Sequence, residues 1–268
     1  MDTELNGKHI VITGASGGIG LETARAFLSE GAQVTGTYNH SSKPLDELLE
    51  SWPDHFLSVK VDQTRESEVE SLFTKANEKF GRVDVLVSCA GIANDEGVAI
   101  QDMKKEQWDR TLSVNLTGTF LCVKYFFKNL EKYRGETASL IMVGSTAGLF
   151  GEAWYSDYST SKAGMHGLLM SLKNEIAHLV SRGRVNLVNP GWTLTPMAEG
   201  ALSDKEMVTR ILQTIPMRKT AKPEDIANVI LYLASDRLAG HVSGQTITVA
   251  GGMEGRVLYS PKEVDHSD

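Results

Sequence analysis

Seven short apolar, β-branched runs recur along this 268-residue chain, separated by longer segments with a helical repeat. They are Lys8–Thr13, Gln33–Tyr38, Phe56–Val61, Val83–Val87, Ser139–Val143, Val185–Asn189 and Thr246–Val249. A run such as Val83-Asp84-Val85-Leu86-Val87 lacks the in–out alternation of a half-exposed strand, so both of its faces must be covered. Between the runs, Gly18–Ser29, Glu66–Phe80, Lys105–Leu130, Asp157–Val180 and Pro223–Ala234 carry apolar residues at a 3.6-residue period. Strand alternating with helix predicts an α/β fold, a doubly wound parallel seven-stranded sheet with helices on both faces. No linker-like tract or internal repeat divides the chain, so residues 1–254 read as one domain and 255–268 as a short tail. Leu194 to Met217 breaks the alternation and carries Met197, Met207 and Met217, as a lid-like insertion over a substrate would.

Directly after the first run comes Thr13-Gly14-Ala15-Ser16-Gly17-Gly18-Ile19-Gly20, opening a helix. Glycines there let backbone N–H groups approach a pyrophosphate, and the helix end adds partial positive charge. This makes the fold a Rossmann-type dinucleotide binder, and the missing Gly-Lys-Ser/Thr ending excludes a P-loop. A formal net charge of −7 and the lack of a basic run argue against nucleic-acid or anionic-membrane partners. No stretch resembles a secretory signal or reaches bilayer-spanning length. Two cysteines, Cys89 and Cys122, are too few for a secreted disulfide framework and lack metal-site spacing, so a reduced cytoplasmic setting and no metal are expected.

A second cluster carries the chemistry. Tyr158 and Lys162 are four residues apart on an expected helix, which makes them surface neighbours. A nearby ammonium favours the phenolate of a residue whose ordinary pKa of about 10 is too high for a base. Ser145 follows an apolar run, where a strand end would bring its hydroxyl to the same spot, and the three together suit a carbonyl oxygen. Tyr155 is the rival phenol, but it has no lysine at the helical spacing. Asp157 reads as a helix N-cap or a contact to a polar substrate.

With the glycine turn, Ser145 and Tyr158-x-x-x-Lys162, residues 6–253 resemble the short-chain dehydrogenase/reductase family, in its classical branch. Further matches are Asp62 and Gln63 after the third strand, Ala90-Gly91, Asn115 in Asn-x-x-Gly, and Pro190-Gly191 followed by Thr193 and Thr195. The family's Asn-Asn-Ala-Gly stands here as Ser88-Cys89-Ala90-Gly91, which puts the bracing role of the asparagine in doubt. The resemblance implies that Tyr158 is the general acid and base, that Ser145 polarises the reacting oxygen, and that Lys162 lowers the Tyr158 pKa and holds ribose hydroxyls. It implies that Asn115 fixes a water linking Lys162 to solvent. It also implies dinucleotide contacts at Gly14, Ser16, Gly18, Ile19, Gly20, Asn39, Asp62, Gln63, Ala90, Gly91, Tyr158, Lys162, Pro190, Thr193 and Thr195.

An NAD-preferring site places an acid at the end of the second strand. Here that strand ends Tyr38-Asn39-His40-Ser41-Ser42-Lys43, without one, so NADP(H) is favoured and NAD(H) is the alternative, although Gly17 stands where NADP-preferring relatives often carry a cation. Trp154 and Trp192 are the expected substrate contacts, with Leu149 and Met197 beside them, suggesting a partly apolar ketone or secondary alcohol. The expected function is hydride transfer between NADP(H) and that substrate; the rival is a dinucleotide-binding regulator without turnover. Phe120, Tyr125, Phe126 and Phe127 on one long helix and Met165, Leu168, Leu169 and Leu172 on another exceed one buried stripe, which predicts a homodimer or homotetramer.

Overall fold

The computed structural model describes residues 2–264; the last residues of the expected tail, 265–268, lie outside them. The strands are β1 His9–Thr13, β2 Gln33–Tyr38, β3 Phe56–Lys60, β4 Val85–Ser88, β5 Thr137–Val143, β6 Arg182–Pro190 and β7 Thr246–Val249. The helices are α1 Gly18–Ser29, α2 Asp46–Ser51, α3 Glu66–Phe80, α4 Lys105–Leu112, α5 Gly118–Lys132, α6 Ala147–Phe150, α7 Ser156–Leu179, α8 Glu199–Leu202, α9 Lys205–Leu212, α10 Pro223–Ala234 and α11 Asp236–Ala239. They frame one seven-stranded sheet in the order β3-β2-β1-β4-β5-β6-β7. Every pairing in it is parallel.

Both faces of the sheet are covered, which explains the continuous apolar runs. Val11 joins Leu86, Leu140 and Met142 in a core under α3, α5 and α7. Its neighbours Ile10 and Ile12 join Val34, Val87 and Ile141 in a second core under α1 and α10. Each such side chain contributes about 1.5–3 kcal/mol on burial. Because β1 pairs with β2 on one side and β4 on the other, the chain leaves their carboxyl ends in opposite directions and opens a crevice there.

Two expectations change. The single helix Lys105–Leu130 is α4 and α5 joined by a π-helical turn, Ser113–Thr117. The segment after β6 holds two short helices, and its Ile211, Leu212 and Ile215 form a small third core with Val264. Gln213 Nε2 donates to the Tyr259 carbonyl at 2.7 Å, and the Leu258 N–H donates to the Gln213 carbonyl at 2.7 Å. Residues 258–264 therefore lie bound against the lid-like segment.

Candidate active site

The crevice begins at the glycine turn. Gly14 has φ +68°, and a Cβ on it would sit 2.7 Å from the Ala90 Cα. A Cβ on Gly20 would sit 2.2 Å from the Gly14 carbonyl oxygen, so α1 can start this close to β1 only with glycine at both positions. The helix has no capping side chain and no acid in its first turn. Its leading N–H groups, at Gly18, Ile19 and Gly20 beside Ser16, thus offer an uncompensated positive end to an anion, which fits a pyrophosphate. Opposite stands the loop after β6: a Cβ on Gly18 would lie 2.9 Å from Thr195 Cγ2.

The second wall is the loop after β4. Thr13 Oγ1 accepts the N–H groups of Cys89 and Ala90, both at 3.1 Å, and so supplies the bracing that the lost asparagines put in doubt. Gly91 lies under two side chains at once, since a Cβ there would be 3.2 Å from both Asn115 Oδ1 and Lys162 Nζ. The extra residue of the π-helical turn, a feature frequent at functional sites, turns Asn115 fully inward. Its Oδ1 accepts the Ile92 N–H at 2.8 Å, while Nδ2 donates to the Ile92 carbonyl at 2.9 Å and to Ser161 Oγ at 3.0 Å. Both amide protons are spent on bracing this loop against α7, so they are not free to hold a water for Lys162.

The third wall carries Ser145, Tyr158 and Lys162. Ser145 follows β5, and its Oγ accepts the Ala147 N–H at 3.1 Å. Tyr158 and Lys162 stand one turn apart on α7, the first half-buried and the second buried. Burial raises the phenol above its ordinary pKa, with the neighbouring Ser145 hydroxyl pulling the other way. The expected lowering by Lys162 is not found. Lys162 Nζ donates instead to the Val143 carbonyl at 2.9 Å and lies 5.7 Å from the centre of the Tyr158 ring, so desolvation outweighs it. Burial also depresses Lys162 itself, to about 8. The neighbouring Cys89 thiol is pushed up to about 11 by burial and is held protonated.

A hydroxyl beside a phenol, with a buried amine behind them, at the carboxyl edge of a doubly wound sheet and beside a dinucleotide turn, is the geometry of an oxidoreductase. Residues 14–254 match the family model described as Enoyl-(Acyl carrier protein) reductase. A 3-oxoacyl-[acyl-carrier-protein] reductase of Synechocystis sp. is 36% identical over 94% of this chain and 98% of its own length. One from Thermotoga maritima is 37% identical over 93% and 98%. A solved Brucella melitensis structure, described as short-chain dehydrogenase/reductase SDR:Glucose/ribitol dehydrogenase, superposes with a TM-score of 0.85 at 32% identity, covering 94% of this chain and 98% of that one. This chain belongs to the short-chain dehydrogenase/reductase family. It is an oxidoreductase acting on C=O or CH–OH groups.

Within that family frame the remaining expected residues divide. Asn39 is exposed at the end of β2 and shares a surface hollow with Asp62 and Arg65. Asp62 Oδ1 accepts from the Thr64 N–H at 3.0 Å and hydroxyl at 2.7 Å, chiefly the latter holding it below the usual carboxylate range. Gln63 is turned inward, and its Nε2 donates to the Val114 carbonyl at 2.8 Å, so its side chain is a brace rather than an open cofactor contact. Pro190 ends β6 with its carbonyl taken by the Thr146 N–H, and Thr193 Oγ1 donates to the Gly191 carbonyl at 2.9 Å. Thr195 faces the glycine turn.

Of the expected substrate contacts, Trp154 is 64% exposed at a positive φ of 67°, a strained backbone for a bulky residue. Trp192 packs on the Ile211–Ile215 core instead. Tyr155, the rival phenol, is raised by burial and by Glu152, Asp95, Glu96 and Asp157, and has no cation to activate it. Thr13, Ser161, Arg65 and the placement of Cys89 went unread because their partners lie on other elements, with no spacing in sequence to mark them.

Proposed function

We infer that this chain reduces the carbonyl of a 3-oxoacyl thioester with NADPH as the hydride donor. The observation that carries the reading is the placing of the Ser145 hydroxyl beside the Tyr158 phenol, with the Lys162 ammonium 5.7 Å from the phenol ring, which presents two hydroxyls to a single oxygen. A bound nicotinamide supplies the hydride; the residues of this chain handle the oxygen. Ser145 polarises it and Tyr158 donates the proton. A phenol raised by burial stands in the protonated form that reduction requires. Lys162, largely protonated at neutral pH, adds positive charge behind the phenol as the oxygen becomes an alkoxide. The named activity of the Synechocystis and Thermotoga relatives supports the thioester. The enoyl reduction in the family model's description is the second reading. The paired hydroxyls favour the first, because both act on the carbon–oxygen bond being reduced.

For the cofactor, exposed Asn39, His40 and Lys43 and the absence of an acid after β2 support NADPH over NADH. Arg65, beside Asp62, adds the cation that Gly17 does not provide. Trp154 and the lid-like segment line the substrate's path in this reading. Two free cysteines suit a reduced cytoplasm, and no described helix is long and apolar enough to cross a membrane. The oligomer rests on a narrower face than the sequence implied: Tyr125, Phe126, Met165, Leu169 and Leu172 are buried in the chain's own core. What remains is a groove lined by Leu116, Phe120, Gly164, Gly167 and Leu168, with Phe120 47% exposed, and a second copy is its proposed occupant.

The test is NADPH oxidation at 340 nm with acetoacetyl-coenzyme A and, separately, crotonyl-coenzyme A. Turnover is expected with the first, with Tyr158→Phe slowed by about 10²–10⁴-fold while binding NADPH normally. A Tyr158→Phe chain as fast as wild type refutes the mechanism, and consumption of only the crotonyl ester moves the chain to the second reading.

A further inference from the structure

Asp157 is a fully buried carboxylate to which the chemistry above gives no task. Among the described residues it takes part in no ion pair, and its charge is met by hydrogen-bond donors alone. Oδ2 accepts from Thr111 Oγ1 at 2.8 Å, Asn94 Nδ2 at 2.9 Å and Gln107 Nε2 at 3.3 Å. Oδ1 accepts the Tyr158 N–H at 2.8 Å. Burial on its own would raise the carboxyl, but the four hydrogen bonds outweigh it and hold the group below the ordinary range. It is not the helix N-cap expected from sequence, because Tyr155 occupies that position and Asp157 stands in the first turn of α7. A negative charge is favourable there, at the positive end of the helix.

The donors come from three segments, the loop after β4, α4 and the start of α7. Asn94 lies in the loop after β4, three residues past Gly91. Gln107 and Thr111 lie on α4, which leads into the turn that carries Asn115. The fourth donor is the backbone of Tyr158 itself. Asn115 already ties Ile92 to Ser161, and Asp157 adds a second tie from the same loop to the same helix, one residue from the phenol. Further along, the Val98 N–H donates to the Trp154 carbonyl at 2.7 Å, so the far end of that loop is the support of the exposed tryptophan. Only an ionised carboxylate is acceptor-only and can meet donors on every side; an amide would set its own N–H₂ against at least one of them.

Resting on the reading that Tyr158 is the proton donor, we propose that Asp157 is a positioning residue that locks the loop after β4, α4 and the start of α7 into one frame, and thereby sets where the Tyr158 hydroxyl meets the substrate oxygen. The role is mechanical. Cys89 and Ser145 are the groups that act on the phenol, and the carboxylate of Asp157 is not among them. A displacement of about 1 Å in such a frame is enough to cost on the order of 10²-fold in rate.

The test compares wild type, Asp157→Asn, Asn94→Ala and the double variant Asp157→Asn with Asn94→Asp, which exchanges donor and acceptor across the 2.9 Å contact. Each is preloaded with NADPH, and hydride transfer to acetoacetyl-coenzyme A is followed in a single turnover by nicotinamide fluorescence, alongside the NADPH Kd and the urea midpoint. Asp157→Asn is expected to slow the single turnover about tenfold or more while leaving the NADPH Kd within about twofold; the double variant recovers at least half of the loss on a logarithmic scale. An Asp157→Asn chain within about twofold of wild type overturns the proposal. So does a series in which rate simply tracks the urea midpoint and the double variant recovers nothing. If Asp157→Asn fails to fold, Asn94→Ala decides, with about a threefold loss in rate expected and an unchanged rate overturning the proposal. A wild type that leaves both thioesters unreduced refutes the functional reading and this proposal with it; a working wild type beside an unaffected Asp157→Asn refutes this proposal alone.

Discussion

Replacing Lys162 by Met turns the cost of the site into a measurable quantity. The amine is 5% exposed, and burial depresses its pKa from 10.5 to about 8. That gap corresponds to about 3 kcal/mol by which folding disfavours the charged form at neutral pH, at about 1.4 kcal/mol per pKa unit. Because the folded value is the lower one, the unfolded chain binds more protons between about pH 8 and 10.5. The penalty is therefore complete below pH 8 and fades as the pH rises towards 10.5. Met retains the buried stem and removes the proton. It also leaves the Val143 carbonyl without its donor, an offset of about 1–3 kcal/mol that does not depend on pH. The slope is therefore the clean observable. Urea unfolding of both proteins at equal concentration is expected to show wild type gaining about 2.5 kcal/mol on Lys162→Met between pH 7 and pH 10. Contributions from Cys89 and Cys122, common to both proteins, largely cancel in that difference. A stability difference that stays flat across this range refutes the claim that Lys162 is held as a depressed, desolvated amine. The variant should also lose most of its activity, as expected when a site is kept at the expense of stability.

Two further outcomes test other parts of the site. Asn39→Asp places an acid where a ribose 2′-hydroxyl would be bound, and should shift kcat/KM from NADPH towards NADH by about tenfold or more; an unchanged preference would mean that Asn39 does not face the adenosine ribose. Phe120→Glu puts a charge into the apolar groove between α5 and α7, and sedimentation should show the assembly falling to a smaller species, whereas an unaltered sedimentation coefficient would place the interface elsewhere.

The fold was legible because its signals are local. β1, β2 and β4 are buried along nearly their whole length, so they are built of β-branched, small and apolar residues on both faces, and the expected bounds of β2, Gln33–Tyr38, match the strand. β6 was read short, as Val185–Asn189, because it begins at Arg182 and includes Arg184. Arg184 is 3% exposed, and its guanidinium donates to the Leu233 and Ala234 carbonyls at the end of α10, a partner that no pattern within the strand reveals. The break in Lys105–Leu130 was hidden for a similar reason, since the π-helical turn is set by what Asn115 reaches on Ile92 and Ser161.

Sequence alone determined the alternation of strands and helices, the glycine turn, and the pairing of Tyr158 with Lys162 on one helix face, because each depends on periodicity, on the absence of a Cβ, or on a four-residue helical spacing. The tertiary structure decided how those groups are tuned. It turned Lys162 towards the Val143 carbonyl, raised the phenol by burial, made Asn115 and Gln63 braces, and drew Asn94, Gln107 and Thr111 onto Asp157. Those outcomes depend on which elements pack together and on how much water they exclude, and residues brought together from 19 to 63 positions apart leave no local trace of it.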